Sequence, residues 1–176
     1  MLIKTIFSGF GTQGVMFMGL NLAQVAMLEG KNVTYLPSYG AEVRRGTANC
    51  TVTISDEEIA SPIASSPDFM VAMNQPSVMR FQNQFQSGGL FFINFSLVES
   101  EISRGDIDII KGPANNIAED LGNPKSASMV ILAAFTKKTH LVSLPSLIEG
   151  LITTLKNKKK LIAINKKAFQ VGYDLF

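Results

Sequence analysis

The chain has 176 residues, 46% of them hydrophobic, and a formal net charge of +2. This length and composition suit one well-filled core, so we expect a single compact soluble domain over residues 1–176. One cysteine and one histidine exclude an internal disulfide framework and argue against a zinc site or an iron–sulfur cluster held by this chain alone.

The apolar runs are short. Runs such as residues 129–135 and 90–93 fall far below the roughly 20 residues that span a bilayer. A secretory leader is not indicated either, because Lys4 is followed at once by a strand-like run and a glycine loop. We therefore expect no membrane segment and a cytoplasmic location.

Strand and helix patterns alternate along the chain. The predicted strands cover residues 2–7, 32–36, 47–54, 69–73 and 90–95. The predicted helices cover residues 15–28, 76–85, 115–121, 126–138, 146–156 and 159–173. This alternation predicts an α/β fold, a three-layer α/β/α sandwich around a mostly parallel sheet, with a Rossmann-like first βαβ unit.

Two of the predicted helices carry additional signals. The helix over residues 126–138 is apolar on more than one face, so we expect it to be sandwiched inside the domain or to lie at a subunit contact. Ser146 with Glu149 fits a capping box at the start of the next helix.

Three polar segments follow predicted strands, at residues 9–14, 38–47 and 74–77. Loops at the carboxyl ends of parallel strands line one crevice, so we expect these segments to converge. The candidate ligand-contacting residues are Gly9, Gly11, Thr12, Gln13, Gly14, Ser38, Tyr39, Glu42, Arg44, Arg45, Asn74 and Gln75.

Gly9, Gly11 and Gly14 match the G-x-G-x-x-G pattern between a strand and a helix, where backbone N–H groups and the helix dipole favour phosphate. The acidic residue that holds a ribose in NAD-binding folds has no counterpart at residues 33–37, which argues against NAD. Arg44 or Arg45 could hold the extra phosphate of NADP or coenzyme A. A tight turn without a ligand explains the glycines equally simply.

Other residues of these segments also have two interpretations. Gln13 could donate its amide to a ligand or cap its own helix. Glu42 with the two arginines could form a functional cluster or a salt-bridged loop between subunits. Tyr39 could stack on a ligand ring or anchor its loop.

Eight lysines lie at positions 137, 138, 156, 158, 159, 160, 166 and 167, with Glu149 as the only carboxylate of that stretch. They form either a solvated helix surface or a face for an acidic partner subunit. No aromatic residues are interleaved with them, so we expect no nucleic-acid partner.

No catalytic set can be assembled from the remaining reactive side chains. Cys50 falls on the inward face of its strand and reads as a small buried hydrophobe. His140 follows Lys137 and Lys138 at a helix end, where charge and dipole explain it. We expect no metal site and no catalytic residue in this chain.

Three segments, residues 9–15, 36–50 and 72–77, resemble the gamma subunit of 2-oxoacid:ferredoxin oxidoreductases, in particular its 2-oxoglutarate branch. The resemblance extends to residues 118–124 and 165–173, so it spans nearly the whole chain. At Thr12 and Arg45 the family more often has glycine. Where the backbone at position 12 or 45 needs a positive φ, the residue that replaces glycine lowers the stability of the chain by about 1 kcal/mol.

The resemblance implies oxidative decarboxylation of a 2-oxoacid with coenzyme A. Thiamine diphosphate would lie between alpha and beta subunits, and iron–sulfur clusters in beta or in a ferredoxin-like delta subunit. The gamma chain would then be inactive alone, would bind no cofactor tightly, and would pass no electrons itself to ferredoxin. Its glycine loop, with Arg44 nearby, would cradle coenzyme A phosphates or close over the thiamine site.

Two other classes remain open at this point: a free-standing NADP-binding reductase domain, and a ligand-sensing or purely architectural interaction module. Without its partners the chain could also self-associate through surfaces meant for them, such as the helix over residues 126–138.

Overall fold

The computed structural model describes residues 1–40 and 47–175. In chain order the strands and helices are β1 Leu2–Phe10, α1 Val15–Leu28, β2 Asn32–Tyr39, β3 Thr47–Ser55, β4 Phe69–Ala72, α2 Gln75–Phe81, β5 Leu90–Asn94, β6 Asp108–Gly112, α3 Ala114–Asp120, α4 Ala127–Thr139, α5 Leu144–Leu155 and α6 Lys159–Asp174. Two 3-10 turns, Gly11–Gln13 and Pro124–Ser126, precede α1 and α4.

The six strands form one sheet in the order β2-β3-β1-β4-β5-β6. β1, β4, β5 and β6 pair in parallel, while β3 runs antiparallel to both of its neighbours. β2 therefore points the same way as β1 but is not hydrogen-bonded to it. An antiparallel strand is inserted into the first βαβ unit, which departs in this respect from the Rossmann arrangement.

Alternation along the strands gives the sheet two buried faces. Phe7 of β1, Val71 of β4 and Phe92 of β5 face α1, α3, α4, α5 and α6. Ile6, Met70 and Phe91 face the opposite way, toward α2 and the loop residues that follow it. Helices thus cover both faces, and the predicted three-layer α/β fold is confirmed, with one layer much thinner than the other.

Helix α4 lies at the centre of the thicker layer. Its Phe135 makes edge-to-face ring contacts with Phe7, Phe69 and Phe92 on the sheet. On the other side α6 packs so closely that a Cβ on Gly172 would lie 2.2 Å from the Val130 carbonyl oxygen. The helix is therefore sandwiched inside the chain, and it is not the exposed surface for self-association that its sequence also allowed.

Several element boundaries differ from those predicted. β2 continues to Tyr39, so Ser38 and Tyr39 lie on a strand rather than in a loop. β6 was not predicted at all. Helix α5 begins after Ser143, whose side chain accepts a hydrogen bond from the Ser146 backbone N–H, so the predicted Ser146 capping box is wrong.

Within the part of the chain that is described, no helix is both long enough and apolar enough to cross a membrane.

Candidate functional site

The carboxyl ends of β1, β4, β5 and β6 meet at one edge of the sheet, because these strands are parallel. From β1 the chain turns into α1 over one face, and from β4 it turns into α2 over the other face. The edge between β1 and β4 is therefore a topological switch point. Ligands of open α/β sheets bind in the crevice at such a point.

The three glycines at the end of β1 and after it have different structural roles, and Gly9 lies on β1 rather than in the predicted loop. A Cβ on Gly9 would lie 2.8 Å from the Gln13 side-chain oxygen, so close packing requires glycine there. Gly14 has a φ of 76°, and a Cβ on it would lie 2.7 Å from Ser128 Oγ of α4, so its backbone and its packing both require glycine. Gly11 is exposed, and a Cβ there would meet no atom of the described residues within 4 Å, its chain neighbours aside. The fold itself does not explain glycine at position 11.

Thr12 lies in the middle of the 3-10 turn with an exposed side chain. Among the described non-glycine residues, only His140 and Lys156 have positive φ. Threonine at position 12 therefore carries no left-handed backbone strain. Arg45, the other departure from the family pattern, lies outside the described residues.

Gln13 fastens the glycine loop to the end of β4. Its side-chain oxygen accepts hydrogen bonds from the Phe10 backbone N–H at 2.7 Å and from the Asn74 amide at 2.8 Å. Its amide nitrogen donates to the Met73 carbonyl at 3.1 Å. The sequence predicted that Gln13 would either bind a ligand or cap its own helix. In the structure its side chain bonds within the chain, and both lone pairs of its oxygen and one N–H are already used.

Asn74 continues this network into α2. It is buried and caps the helix, because its side-chain oxygen accepts from the Ser77 backbone N–H at 3.0 Å and from the Ser77 hydroxyl at 2.8 Å. The Ser8 hydroxyl of β1 donates in turn to Ser77 Oγ at 2.9 Å. The loops after β1 and β4 are thus one hydrogen-bonded unit.

Two further amides at this edge were not identified from the sequence. Asn94, fully buried at the end of β5, donates to the Met73 carbonyl at 3.3 Å and to the Asn115 side-chain oxygen at 2.7 Å. It also accepts from the Ala114 backbone N–H at 3.2 Å. Asn94 could have been identified from the sequence, because it is the polar residue that directly follows the apolar run at residues 90–93. Asn115 was hidden because β6, the strand before it, was not predicted.

A cavity of about 240 Å³ opens at the switch point. Its walls come from the glycine loop, the end of β4, the start of α3 and the 3-10 turn before α4. The lining residues are Thr12, Gln13, Met73, Asn115, Pro124, Lys125 and Ala127. Thr12 and Gln13 are the predicted site residues that line it.

The remaining predicted site residues are more widely spread. Ser38 and Tyr39 are exposed at the same edge, and the register sets Tyr39 beside Ala48 and Ala48 beside Gly9, two strand spacings or about 10 Å across the sheet. Gln75 binds another loop, accepting from the backbone N–H groups of residues 99 and 100 at 3.1 Å. Glu42, Arg44 and Arg45 lie outside the described residues.

Cys50 and His140 lie where the sequence placed them. Cys50 is fully buried on the inner face of β3, and burial raises the pKa of its thiol to about 12. His140 ends α4 in a left-handed conformation with a φ of 52°. Neither residue lines the cavity.

The lysines cluster at two places. Those of α6 and of the turn before it are exposed, and the α6 lysines lie opposite the buried residues Ala168, Phe169 and Gly172. Lys137, at the end of α4, lies 4.6 Å from the centre of the Tyr173 ring. The outer face of α6 thus carries four exposed lysines, at positions 159, 160, 166 and 167.

Comparison with known proteins identifies the family. Residues 4–175 match the family described as pyruvate ferredoxin/flavodoxin oxidoreductase. The chain is 36% identical to ketoisovalerate oxidoreductase subunit VorA of Methanothermobacter thermautotrophicus over 98% of this chain, and it spans only 36% of VorA. It is 31% identical to 2-oxoglutarate synthase subunit KorC of Methanocaldococcus jannaschii, over 96% of this chain and 92% of KorC.

Solved structures agree. The keto/oxoacid ferredoxin oxidoreductase gamma subunit of Geobacter sulfurreducens superposes with a TM-score of 0.84 at 26% identity, covering 98% of this chain and 96% of that one. The 2-oxoglutarate:ferredoxin oxidoreductase of Magnetococcus marinus shares the fold, with a TM-score of 0.90 over 99% of this chain and 31% of its own. The resemblance to gamma subunits is confirmed. The chain belongs to the pyruvate ferredoxin/flavodoxin oxidoreductase family.

Proposed function

We propose that this chain is the gamma subunit of a multi-subunit 2-oxoacid oxidoreductase of the cytoplasm. The assembly converts a 2-oxoacid and coenzyme A into acyl-coenzyme A, carbon dioxide, one proton and two electrons, and the electrons pass to ferredoxin or a similar carrier. The gamma chain is inactive alone. Its glycine-loop edge binds part of coenzyme A or closes over the active site of its partners.

The exposed Gly11 at the switch-point edge is the observation that carries this proposal. Gly9 and Gly14 are explained by packing and backbone conformation, but no atom of the described residues requires glycine at position 11. Close approach of a ligand's phosphate to the loop backbone is the physical reason for such a glycine in phosphate-binding loops. Arg44, which follows β2 in the sequence, is the expected second contact for coenzyme A.

The reactive side chains of this chain are consistent with a subunit that binds and encloses substrate while its partner subunits carry out the reaction. The described residues contain no group of three or more His, Cys, Asp or Glu side chains that could hold a metal ion, and Cys50 is buried. We assign thiamine diphosphate and the iron–sulfur clusters to alpha, beta and delta partner subunits. Thiamine diphosphate supplies the decarboxylation chemistry there, while this chain contributes binding and closure.

The substrate assignment rests on relatives with two different names. We propose 2-oxoglutarate first, because KorC-type relatives are named for 2-oxoglutarate synthase. The VorA relative is named for ketoisovalerate, so a branched-chain 2-oxoacid is the second candidate. Turnover of both 2-oxoacids by the same purified complex separates them.

A free-standing NADP reductase is the competing class. β2 ends in Ser38 and Tyr39, without the acidic residue that binds a nucleotide ribose, and no catalytic set lies near the cavity among the described residues. A purely architectural subunit would use the same fold with no ligand at the edge.

Native copurification tests the proposal. We expect the tagged chain, expressed in its own cells, to elute from size exclusion with larger partners that hold thiamine diphosphate and iron–sulfur clusters. That complex should reduce ferredoxin with a 2-oxoacid and coenzyme A, and the isolated chain should not. Elution as a free chain that oxidises NADPH, or that consumes a 2-oxoacid unaided, would overturn it.

A further inference from the structure

We propose that a groove between α1 and α5 is the docking surface for an amphipathic helix of a partner subunit, and that this helix presents acidic side chains to the end of α5. The inference rests on the proposed function, since it takes the partner to be another subunit of the same oxidoreductase. The groove has a volume of about 610 Å³. It lies along the far half of α1, where Gln24 and Leu28 are about 14–20 Å further along the helix than Val15, at 1.5 Å per residue. It is therefore separate from the crevice at the carboxyl ends of the strands.

Helix α1 is uncharged along its whole length. Its 14 residues, Val15–Leu28, include no Asp, Glu, Lys or Arg. A helix of a soluble protein that is apolar all round is ordinarily buried on every side. Here the inner side packs on the sheet and on α5, but Leu20, Met27 and Leu28 are 37%, 62% and 66% exposed. The described residues thus leave uncovered an outer stripe of a helix whose composition is that of a buried one.

The outer side chains of α1 have the spacing of a helix-packing seam. Four of them follow one another at intervals of three and four residues: Phe17, Leu20, Gln24 and Met27. This spacing sets them on one side of the helix, as the seam residues of a helix pair are. From Phe17 to Leu28 the stripe is about 17 Å long, which matches about three turns of a second helix. An apolar helix face beside a groove of this kind is recognised by a helix laid into it.

Helix α5 forms the opposite wall of the groove, and two contacts fix its position. A Cβ on Gly150 would lie 2.5 Å from Val25 Cγ2, so close packing of the two helices requires glycine there. The Thr154 hydroxyl donates to the Gln24 side-chain oxygen at 3.1 Å. This bond leaves the Gln24 amide nitrogen without a partner among the described residues. The groove therefore offers a hydrogen-bond donor to its occupant.

The charge at one end of the groove selects an acidic occupant. Lys156 lines the groove, and three more exposed lysines follow it at positions 158, 159 and 160. None of these four lysines forms an ion pair with a carboxylate of the described residues. Glu29, at the end of α1, accepts instead from the Ser143 backbone N–H at 2.9 Å. Aspartate or glutamate side chains of a partner would therefore meet positive charge that this chain leaves uncompensated.

A second copy of this chain fits the groove less well than an acidic partner does. Two copies related by a two-fold axis at the groove would bring their lysine clusters at residues 156–160 toward each other. Like charges brought together at an interface weaken binding, so the lysines that favour an acidic helix disfavour self-association.

The first test measures the dissociation constant of this chain from its partners in the purified complex. Met27→Glu is compared with Met79→Glu, because Met79 is 60% exposed on α2, which covers the other face of the sheet. We expect Met27→Glu to weaken the complex about 10-fold or more and Met79→Glu to leave it unchanged. Met27→Lys should weaken it less than Met27→Glu does, because only the glutamate repels an acidic helix.

The second test identifies the occupant without altering the charge of the groove. A photo-reactive benzophenone side chain replaces Leu28 in the assembled complex, and the same side chain at Met79 is the control. Mass spectrometry should find that position 28, and not position 79, is cross-linked to a helical segment of a partner subunit that contains Asp or Glu. A cross-link from position 28 to a second copy of this chain would overturn the proposal.

The outcomes separate the docking surface from the proposed function. A wild-type chain that copurifies with no other subunit would overturn the proposed function, and the docking surface with it. A wild-type complex that Met27→Glu and Met79→Glu weaken equally, or not at all, would overturn the docking surface alone. Equal weakening by Met27→Glu and Met27→Lys would overturn the acidic character of the partner helix.

Discussion

The side-chain oxygen of Gln13 accepts a hydrogen bond from the Asn74 amide at 2.8 Å, joining the loop after β1 to the residue that caps α2. The two helices that follow these loops cover opposite faces of the sheet. The hydrogen bond between these two side-chain amides therefore holds the two loops together at the edge of the sheet where the candidate site lies.

Replacing Gln13 by alanine should destabilise the chain. The change removes three hydrogen bonds and leaves the Phe10 N–H and the Met73 carbonyl short of partners, at a cost of about 1–3 kcal/mol. A thermal melt should show a midpoint lower by several degrees. Gln170→Ala, at an exposed position of α6, is the matched control and should leave the midpoint nearly unchanged. A Gln13→Ala midpoint equal to wild type would refute the proposed role of this network.

Gly172→Ala tests the packing of α6 on α4. Replacing an exposed helical glycine by alanine stabilises a protein by up to about 1 kcal/mol, so Gly172→Ala would be more stable than wild type if this face of α6 were exposed. Here the new Cβ would lie 2.2 Å from the Val130 carbonyl oxygen, and we expect a loss of about 1–3 kcal/mol instead. Gly105→Ala, where a Cβ meets nothing within 4 Å, is the control in the same denaturant titration. A stabilised Gly172→Ala would contradict the packing.

The strands and helices with strong apolar periodicity were predictable from the sequence, and α1 was predicted with its observed ends at residues 15 and 28. β6 was not, because Ile109 and Ile110 are its only apolar residues and an edge strand needs only one paired neighbour. The position of β3 between β1 and β2 could not be predicted from the sequence either, since strand order depends on long-range pairing. For α5, Pro145 was the unused signal, because proline favours the first turn and indicates the earlier serine cap.

The candidate site was predictable in part for the same reasons. The glycine loop follows directly from a strand–loop–helix pattern, and the Asn74 segment follows a buried strand. Lys125 and Asn115 could not be placed, because their approach to the loop depends on β6 and on the seating of α4 over the sheet.

Cys50 should be unreactive in the native protein. Burial raises the pKa of its thiol to about 12, so the thiolate is scarce at pH 8. Because the folded pKa lies above the unfolded one, this group's contribution to stability is complete below about pH 8.5 and is lost as the pH rises toward 12. Mass spectrometry after iodoacetamide treatment should find no labelling at pH 8 and full labelling in urea. Rapid native labelling would contradict the burial.

The basic face of α6 yields a prediction about assembly. Lys159 and Lys166 are seven residues apart and therefore share one side of the helix. If this face binds an acidic subunit, replacing both by glutamate should weaken assembly, most strongly at low salt. Lys111→Glu on β6 is the control, and size exclusion over a salt series is the readout. Unchanged assembly would favour the other interpretation, a solvated lysine surface.

The most direct test of the central claim is the affinity of the assembled complex for coenzyme A when Gly11 carries a side chain. A Cβ at Gly11 or at Gly105 meets no atom of the described residues within 4 Å, so Gly11→Leu and Gly105→Leu should fold alike. The account predicts that Gly11→Leu weakens coenzyme A binding about 10-fold or more, while Gly105→Leu binds as wild type does. Equal affinity of the two variants for coenzyme A would contradict a ligand at this edge of the sheet.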